Sequence, residues 1–269
     1  YDARRKSDVF AADTARVMAA AGINAMLFDQ RVPTPVLAWS ITELDAAAGV
    51  VVTASHNPPA DNGYKVYLGD GCQIVPPHDI GIAACIDRVD PTAVAMAAID
   101  DPRIGSVGDE LVAGYIAAIP GVRRRPDVPG VPVAYTAMHG VGGAVLMRAF
   151  AAAGLPAPHV VPEQFEPDGT FPTVSFPNPE EPGAIDLLMA LAERVGAHVA
   201  FANDPDADRL GAAIPQADGS WRRLGGDEIG WLFADYLLSQ GTGDDRLVVT
   251  TLVSSALLGK MAAAHGVQS

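Results

Sequence analysis

The sequence predicts an α/β protein built from tandem α/β/α domains with mixed sheets. Short apolar runs typical of strands alternate along the chain with segments of helical periodicity. This alternation occurs on both sides of a segment rich in arginine and proline, and 269 residues suffice for about two domains of ordinary size. A Gly-Asp-Gly turn between two β-type runs predicts a hairpin, which makes the first sheet mixed.

The elements of the first half follow in a regular order, set by apolar spacing and by turn residues. Ser7 is the expected N-cap of the first helix, with Asp8 favourable in its first turn. Strands are predicted over 1–4, 24–28, 50–52, 64–68 and 72–75. Helices are predicted over 7–21, 33–48, 80–89 and 110–119.

The second half repeats the pattern. The segment 139–143, rich in glycine, enters a helix, as phosphate-binding loops do, but it matches neither of the standard nucleotide-binding motifs. Strands are predicted over 133–135, 159–161, 198–201, 210–214, 221–222 and 247–251. Helices are predicted after the loop at 143 and over 183–195, 226–238 and 254–265.

Composition and charge exclude several functional classes. The formal net charge of -14 repels nucleic acid and anionic lipid, so we expect neither as a partner. The sequence has no apolar run of about 18 residues, so no membrane span is expected. The two cysteines, Cys72 and Cys85, are too few for a disulfide framework and are expected to be small core residues in a reducing, cytoplasmic compartment.

A serine-containing loop follows the apolar run 50–52. Residues 53–59 read Thr-Ala-Ser-His-Asn-Pro-Pro, which places the hydroxyl of Ser55 in a loop at the end of a strand, where open α/β sheets bind ligands. Lys65 begins the next strand. The simpler interpretation is a polar turn that caps neighbouring amides. The adjacent Ser55 and His56 do not by themselves indicate a catalytic triad, which is recognised by geometry.

An acidic loop comes much later in the chain. Asp204, Asp206 and Asp208 alternate, so their carboxylates point the same way from an extended backbone and repel one another unless a cation lies among them. Hard oxygen ligands favour Mg²⁺, Ca²⁺ or Mn²⁺. An EF-hand is excluded, because the positions that require Gly and Glu hold Arg209 and Pro215. A solvated acidic turn remains the simpler alternative.

The two loops, in this order, resemble the α-D-phosphohexomutase family, which includes phosphoglucomutases and phosphomannomutases. Thr-Ala-Ser-His-Asn-Pro, followed by Asn-Gly-x-Lys, resembles its phosphoserine loop, and Asp-Pro-Asp-Ala-Asp-Arg resembles its metal loop. Glycine is most common where this chain has Pro205 and Ala207, and that variant resembles the longer phosphoglucomutase-like and phosphopentomutase branch. The resemblance implies a phosphohexomutase-like fold.

Further segments extend the resemblance over nearly the whole chain. His-Gly-x-Gly at 139–142 and Pro-Asp-Gly with Pro-Asn-Pro-Glu within 166–180 are similar to family segments. The Gly-Asp-Glu-Ile-Gly run at 226–230 is not taken as the sugar-selecting loop, since it follows the metal loop too soon. The implied domains are 1–125, a phosphoserine-loop domain with an incomplete N-terminus, 126–240, a metal-binding-loop domain, and 241–269, the start of a third α/β domain.

The resemblance implies an intramolecular phosphotransferase that interconverts sugar 6-phosphates and 1-phosphates through a phosphoserine and a bisphosphate. A phosphosugar is the expected partner, and a sugar 1,6-bisphosphate is the expected activator. A phosphomannomutase or phosphoglucomutase is favoured, and the alternatives are a phosphopentomutase, a phosphatase and a non-catalytic sugar-phosphate-binding fragment. The implied roles are phosphoryl donor and metal contact for Ser55, one Mg²⁺ for Asp204, Asp206 and Asp208, proton transfer for Lys65 or His56, phosphate binding for Arg4 and Arg209, and a cleft position or a structural turn for His139.

The ends of the sequence bear on its expected activity. It begins at Tyr1 without Met and ends within a periodic pattern at Ser269, so we expect a fragment. The family's sugar-selecting loop and C-terminal phosphate-binding domain have no counterpart in this sequence. We therefore expect these residues alone to be inactive as a mutase. The sequence gives no indication of oligomeric state.

Overall fold

The computed structural model describes residues 1–241, 243 and 245–269. Two short 3₁₀ helices, Ile119–Val122 and Pro162–Gln164, accompany the regular elements. The strands are β1 Ala25–Phe28, β2 Ala48–Val52, β3 Tyr64–Leu68, β4 Ile104–Val107, β5 Val133–Thr136, β6 His159–Val160, β7 Val199–Asn203, β8 Leu210–Pro215 and β9 Trp221–Arg223. The helices are α1 Ser7–Ala20, α2 Thr34–Glu43, α3 His78–Ile86, α4 Asp109–Ala118, α5 Gly142–Ala152, α6 Asp186–Val195, α7 Gly226–Gln240 and α8 Leu257–Ala264.

Parallel and antiparallel pairings both occur, as predicted, and the larger sheet combines them. Strand β1 pairs with β4 in parallel, and β2 pairs with β3 in antiparallel orientation. The larger sheet has the order β6-β5-β7-β8-β9, in which the first three strands are parallel and the last two are antiparallel to their neighbours. This arrangement, with helices between the strands, is the α/β architecture that the alternating pattern indicated.

Strand order brings the conspicuous loops together. Strand β5 ends at Thr136, which pairs with Ala202 near the end of the parallel strand β7. The loops that follow two parallel strands lie at the same edge of a sheet, so the glycine-rich loop and the acidic loop are neighbours. In the first half, Val51 pairs with Lys65, which places the lysine beside the strand that leads into the serine loop.

Separate apolar clusters support the two halves. In the second half, α6 packs its buried face, centred on Leu188, against small residues of β5 and β7 such as Ala134 and Ala200. In the first half, Val36 of α2 packs with Val107 and neighbouring residues of α4. Val51 of β2, the strand that leads into the serine loop, packs with Ile41 and Tyr67 in a third cluster, so the strands that carry the loops start from packed positions.

Several local predictions were wrong. The predicted helix 33–48 ends at Glu43 because Ala48 already pairs with Leu68 in β2. Strand β4 was missed, since it lies in a passage rich in Asp and Pro. The predicted strands 1–4, 72–75 and 247–251 are not regular strands, and the last two keep only isolated bridges to neighbouring segments.

Two side-chain predictions also need correction. Ser7 does not cap α1, because Lys6 occupies the N-cap position and the Ser7 hydroxyl donates to Asp2 instead. Cys72 and Cys85 are exposed free thiols and not core residues. Cys85 lies on α3, a helix without buried residues, so apolar character alone did not indicate burial there.

Candidate active site

The serine loop begins directly after β2. Ser55 has a left-handed backbone conformation, with φ of 49°, and only 6% of its surface is exposed. Its N–H donates to Thr53 Oγ1 at 2.9 Å, and the N–H of Asn57 donates to the Ala54 carbonyl at 3.0 Å. A left-handed serine costs about 1–3 kcal/mol and persists only when its surroundings determine it.

Arg4 supplies much of that constraint from below the loop. Its guanidinium nitrogens donate to the carbonyls of Ser55 and Asn57 at 2.6 Å, Pro58 at 2.7 Å and Asp61 at 3.1 Å. The residue is buried. This position differs from the phosphate-binding role expected of Arg4, because its fork is occupied by backbone carbonyls. Arg4 holds the loop that presents the serine.

A buried carboxylate completes the support. Asp2 Oδ1 accepts hydrogen bonds from the Arg4 N–H at 2.9 Å and from Ser7 Oγ at 2.7 Å. Asp2 Oδ2 accepts from Thr53 Oγ1 at 2.7 Å and lies 3.3 Å from Arg4 Nε. The ring of Phe171, from the second half, covers the guanidinium with its centroid 5.1 Å away. Sequence reasoning missed Asp2, since nothing in the pattern marks it.

The acidic loop faces the serine. Asp204 and Asp206 are fully buried, whereas Asp208 is exposed, and one carboxylate oxygen from each lies within 4.8 Å of the others. Asp204 Oδ2 accepts a 2.7 Å hydrogen bond from Ser55 Oγ. Its other oxygen accepts from the Arg209 N–H at 3.1 Å. The two loops are thus in direct contact through Ser55 and Asp204.

Asp206 is held from two sides by residues of the first half. Its Oδ2 accepts from Thr34 Oγ1 and from Lys65 Nζ, each at 2.6 Å. Lys65 Nζ also lies 2.6 Å from Asp208 Oδ2. Among the described residues, Asp206 Oδ1 has no hydrogen-bond partner, although it is buried. One buried carboxylate oxygen of Asp206 therefore has no donor to compensate its burial.

Several pKa values in the cluster are shifted by burial and because, among the described residues, three carboxylates lie close to only one ammonium group, that of Lys65. Burial, followed by the charge of Asp206, raises the pKa of Asp204 to about 7. Burial also opposes ionisation of Asp206, but Lys65 and Thr34 outweigh burial and lower its pKa. Burial favours neutral Lys65, yet Asp206 and Asp208 prevail and raise its pKa. Lys65 therefore stays protonated between carboxylates.

The donor set fits a hard cation. It consists of three carboxylates, of which two are buried, with an uncompensated oxygen on Asp206. Divalent ions such as Mg²⁺ and Ca²⁺ take oxygen ligands of this kind. A bound cation would also offset the burial and the charge of Asp206 that together raise the pKa of Asp204. The cluster can therefore bind a metal ion through Asp204, Asp206 and Asp208.

His56 and Arg209 lie beside the serine. His56 Nδ1 is 3.3 Å from Ser55 Oγ, and its ring makes an edge contact with Phe176, with centroids 6.2 Å apart. Burial, and then the charge of Arg209, lower the pKa of His56, so the neutral imidazole is favoured. The Arg209 side chain is exposed at the rim, where it can reach a bound anion.

His139 occupies a different place from the one expected of a ligand-binding residue. Only 2% of it is exposed, and Nε2 lies 2.8 Å from Thr173 Oγ1. The glycine-rich loop that contains it supports the acidic loop: Val141 N–H donates to the Pro205 carbonyl at 2.9 Å. A Cβ on Gly140 would lie 2.5 Å from the Pro205 backbone, so only glycine fits. The structure thus places His139 in the interior, with its ring bonded to Thr173.

The structure thus brings most of the predicted residues together. A single cluster contains Ser55, His56, Lys65, Asp204, Asp206 and Asp208. Arg4 lies under the loop, Arg209 at the rim and His139 in the interior. Sequence reasoning missed Thr34, which directly follows Pro33 at the start of a helix. The start of this helix was predicted from the sequence, but the contact of Thr34 with Asp206, 172 residues away along the chain, was not.

No helix in the described ranges is both long enough and apolar enough to cross a bilayer.

Known proteins with similar sequences identify the family of this chain. Over its whole length, the chain is 50% identical to a protein named "Probable phosphomannomutase" from Haemophilus influenzae. The match covers 56% of that protein. The chain is 38% identical to a "Probable phosphoribomutase" from Schizosaccharomyces pombe, over 99% of this chain and 47% of that protein. It is 37% identical to a human phosphopentomutase, over 96% of this chain and 45% of that protein. The chain therefore spans about half the length of the curated relatives it matches.

A solved structure shows the same fold. A phosphoglucomutase/phosphomannomutase family protein from Burkholderia thailandensis superposes with a TM-score of 0.77 at 25% identity, over 99% of this chain and 55% of that one. Residues 1–93 match the family's alpha/beta/alpha domain I, and residues 113–219 match its alpha/beta/alpha domain II. Because the two domains occur in the family's order and together cover most of the residues, the chain belongs to the phosphoglucomutase/phosphomannomutase family, within the α-D-phosphohexomutase superfamily.

Proposed function

We propose that this chain carries the phosphoryl-transfer centre of a mutase that interconverts a sugar 6-phosphate and a sugar 1-phosphate. Ser55 alternately accepts a phosphoryl group from a sugar bisphosphate and returns one to a sugar monophosphate. The observation that supports this most strongly is the 2.7 Å hydrogen bond from Ser55 Oγ to Asp204, which joins the hydroxyl to a cation-binding cluster. Phosphoryl transfer depends on such positioning and on charge neutralisation.

The residues of the chain supply the remaining parts of the reaction. When Ser55 Oγ attacks phosphorus, the Oγ–P bond forms, the bond from phosphorus to the sugar oxygen breaks, and the serine proton must leave. His56 Nδ1, 3.3 Å away and neutral, accepts that proton in our proposal. Lys65, protonated and beside the cluster, donates a proton to the departing sugar oxygen.

Charge neutralisation has two sources. Mg²⁺ is the cation proposed for Asp204, Asp206 and Asp208, and when bound it would withdraw charge from the transferring phosphoryl group. The guanidinium of Arg209 at the rim is proposed to bind phosphate oxygens. Arg4 contributes indirectly, since it fixes the serine loop.

The names of the relatives support the substrate class that we propose. A hexose phosphate is favoured because the relative that is 50% identical is named a phosphomannomutase. A pentose phosphate is the second candidate, because phosphopentomutases are 37% identical and Pro205 and Ala207 resemble that branch. A sugar 1,6-bisphosphate is the proposed activator, and a human relative at 35% identity is named "Glucose 1,6-bisphosphate synthase".

We also propose a cytoplasmic location and the domain division 1–125, 126–240 and 241–269. The exposed free thiols of Cys72 and Cys85 fit a reducing compartment. The break between the two matched domains, after residue 93 and before residue 113, lies on the N-terminal side of the proposed first boundary.

Phosphorylation of Ser55 tests the proposed function. The purified protein is incubated with Mg²⁺ and glucose 1,6-bisphosphate, and peptide mass spectrometry locates the transferred phosphoryl group. We expect it on Ser55 and expect none after Ser55→Ala, whereas Ser40→Ala, which removes a buried hydroxyl that bonds only within α2, should behave like the wild type.

Two results would contradict the proposal. A phosphoryl group found on another residue would refute the role of Ser55, and stoichiometric release of inorganic phosphate would indicate a phosphatase. Supplying the phosphorylated protein with mannose 1-phosphate, glucose 1-phosphate or ribose 1-phosphate then distinguishes the hexose from the pentose alternative.

A further inference from the structure

The N-terminus of α2 meets the acidic loop at one residue. The Thr34 N–H donates to the Asp206 carbonyl at 2.9 Å, and the Thr34 hydroxyl donates to Asp206 Oδ2 at 2.6 Å. Both partners are buried, with 2% and 0% of their surfaces exposed. Thr34 therefore holds the backbone and the side chain of the same aspartate, across a sequence separation of 172 residues.

This pair of contacts determines how the Asp206 carboxylate is turned. Oδ2 is occupied by Thr34 and by Lys65, whereas Oδ1 has no partner among the described residues. Turning the carboxylate out of its present plane would move Oδ2 away from both the hydroxyl and the ammonium, so these two donors favour one orientation of the plane. Thr34 begins a helix, is buried, and is bonded to Asp206 through its backbone N–H as well, so the hydroxyl starts from a fixed position.

The surroundings make Thr34 the better candidate for this role than Lys65. The Lys65 ammonium also contacts Asp208, so it can follow either carboxylate if the cluster rearranges. Thr34 contacts only Asp206 in this cluster, and its contact includes the backbone. The positive end of α2 also favours the negative partner at this position.

We infer that Thr34 is a positioning residue for the cation site: its hydroxyl holds Asp206 so that Oδ1 is presented to the metal ion. The inference rests on the proposed function in one respect, that the acidic cluster binds Mg²⁺. Groups that orient metal ligands typically affect metal affinity about 10–100-fold. Thr34 thereby makes metal binding in the second half depend on α2 of the first.

The test measures Mg²⁺ affinity directly and does not depend on catalysis. Isothermal titration calorimetry is performed on the wild type, Thr34→Val, Thr34→Ser and the control Ser40→Ala. We expect Thr34→Val to bind Mg²⁺ about 10–100-fold more weakly, and Thr34→Ser, which keeps the hydroxyl, to bind like the wild type. Ser40→Ala removes a buried hydroxyl from the same helix without touching Asp206 and should also bind like the wild type.

The outcomes separate the inference from the proposed function. Unchanged affinity in Thr34→Val, or equal weakening in Thr34→Val and Thr34→Ser, would overturn the role of the hydroxyl while leaving the metal site intact. Failure of the wild type to bind Mg²⁺ would overturn the metal site and the inference that rests on it. If circular dichroism shows that Thr34→Val does not fold, Thr34→Ala, which also lacks the hydroxyl, takes its place under the same expectation.

Discussion

Replacing Arg4 with methionine should destabilise the protein and slow phosphorylation of Ser55. The change removes the guanidinium that donates to four carbonyls of the serine loop and lies 3.3 Å from Asp2. Breaking a buried ion pair from one side costs about 3–5 kcal/mol. We expect a cost near the lower end of this range, because Asp2 keeps its hydrogen bonds from Ser7, Thr53 and the backbone N–H of residue 4.

The loop carbonyls add less to that cost. The Ser55 carbonyl bond is buried, whereas those of Asn57, Pro58 and Asp61 are only partly buried, so water can replace the guanidinium there. We therefore expect a loss of about 3–4 kcal/mol in the free energy of unfolding. The left-handed conformation of Ser55 should relax once its carbonyl is released, which is why phosphorylation should slow.

Urea denaturation followed by circular dichroism measures the stability, and the rate of Ser55 labelling by glucose 1,6-bisphosphate measures the function. Arg148→Met is the matched control, because the Arg148–Asp109 pair is largely exposed and should contribute only about 0–1 kcal/mol. Equal stabilities for Arg4→Met and Arg148→Met would refute the loop-holding role. A stable Arg4→Met protein that had lost phosphate binding would restore the role expected from the sequence.

Two further predictions concern the acidic cluster. Lys65→Met should bind Mg²⁺ more tightly than the wild type in calorimetric titrations yet transfer phosphate more slowly, because the ammonium competes with a cation for Asp206 and Asp208; weaker Mg²⁺ binding would contradict this. In the presence of a chelator, the free energy of unfolding of the wild type should fall relative to that of Asp204→Asn as pH rises from about 4 to about 7. The pKa of Asp204 is raised from 3.8 to about 7 in the folded state, so the folded protein keeps a proton on Asp204 that the unfolded chain releases in this pH range. A stability difference independent of pH would show that this pKa is not raised.

The sequence was sufficient for the fold class and for the residues that meet at the cluster. Alternating apolar runs indicated the strands that end at the serine and acidic loops, and the two loops follow in the order that the family resemblance implies. The hidden element was β4, whose pairing with β1 is non-local and whose surroundings are rich in turn residues. Burial was also unpredictable on α3, where apolar residues and Cys85 lie on an uncovered surface.

The roles of arginine and histidine could not be predicted from residue type. Arg4 and Arg209 offer the same fork, but Arg4 is buried under the serine loop and Arg209 is exposed at the rim. His56 and His139 both lie in loops after strands, yet only His56 is beside the serine hydroxyl. In each pair, the difference comes from which distant segment packs against the residue, and a local pattern contains no such information.

The cluster depends on contacts between the two halves more than on either loop alone. Ser55 donates to Asp204, Lys65 donates to Asp206 and Asp208, and Thr34 donates to Asp206, so each of these bonds joins the first half to the second. Separating the halves would break all of these bonds, and of the bonds to the two buried carboxylates only that from the Arg209 N–H to Asp204, which lies within the second half, would remain among the described residues. A cation bound among the carboxylates lowers the repulsion inside the second half, but the orientation of its ligands is set by the first. Metal binding and alignment of the serine should therefore be coupled, and variants at this interface should change both together.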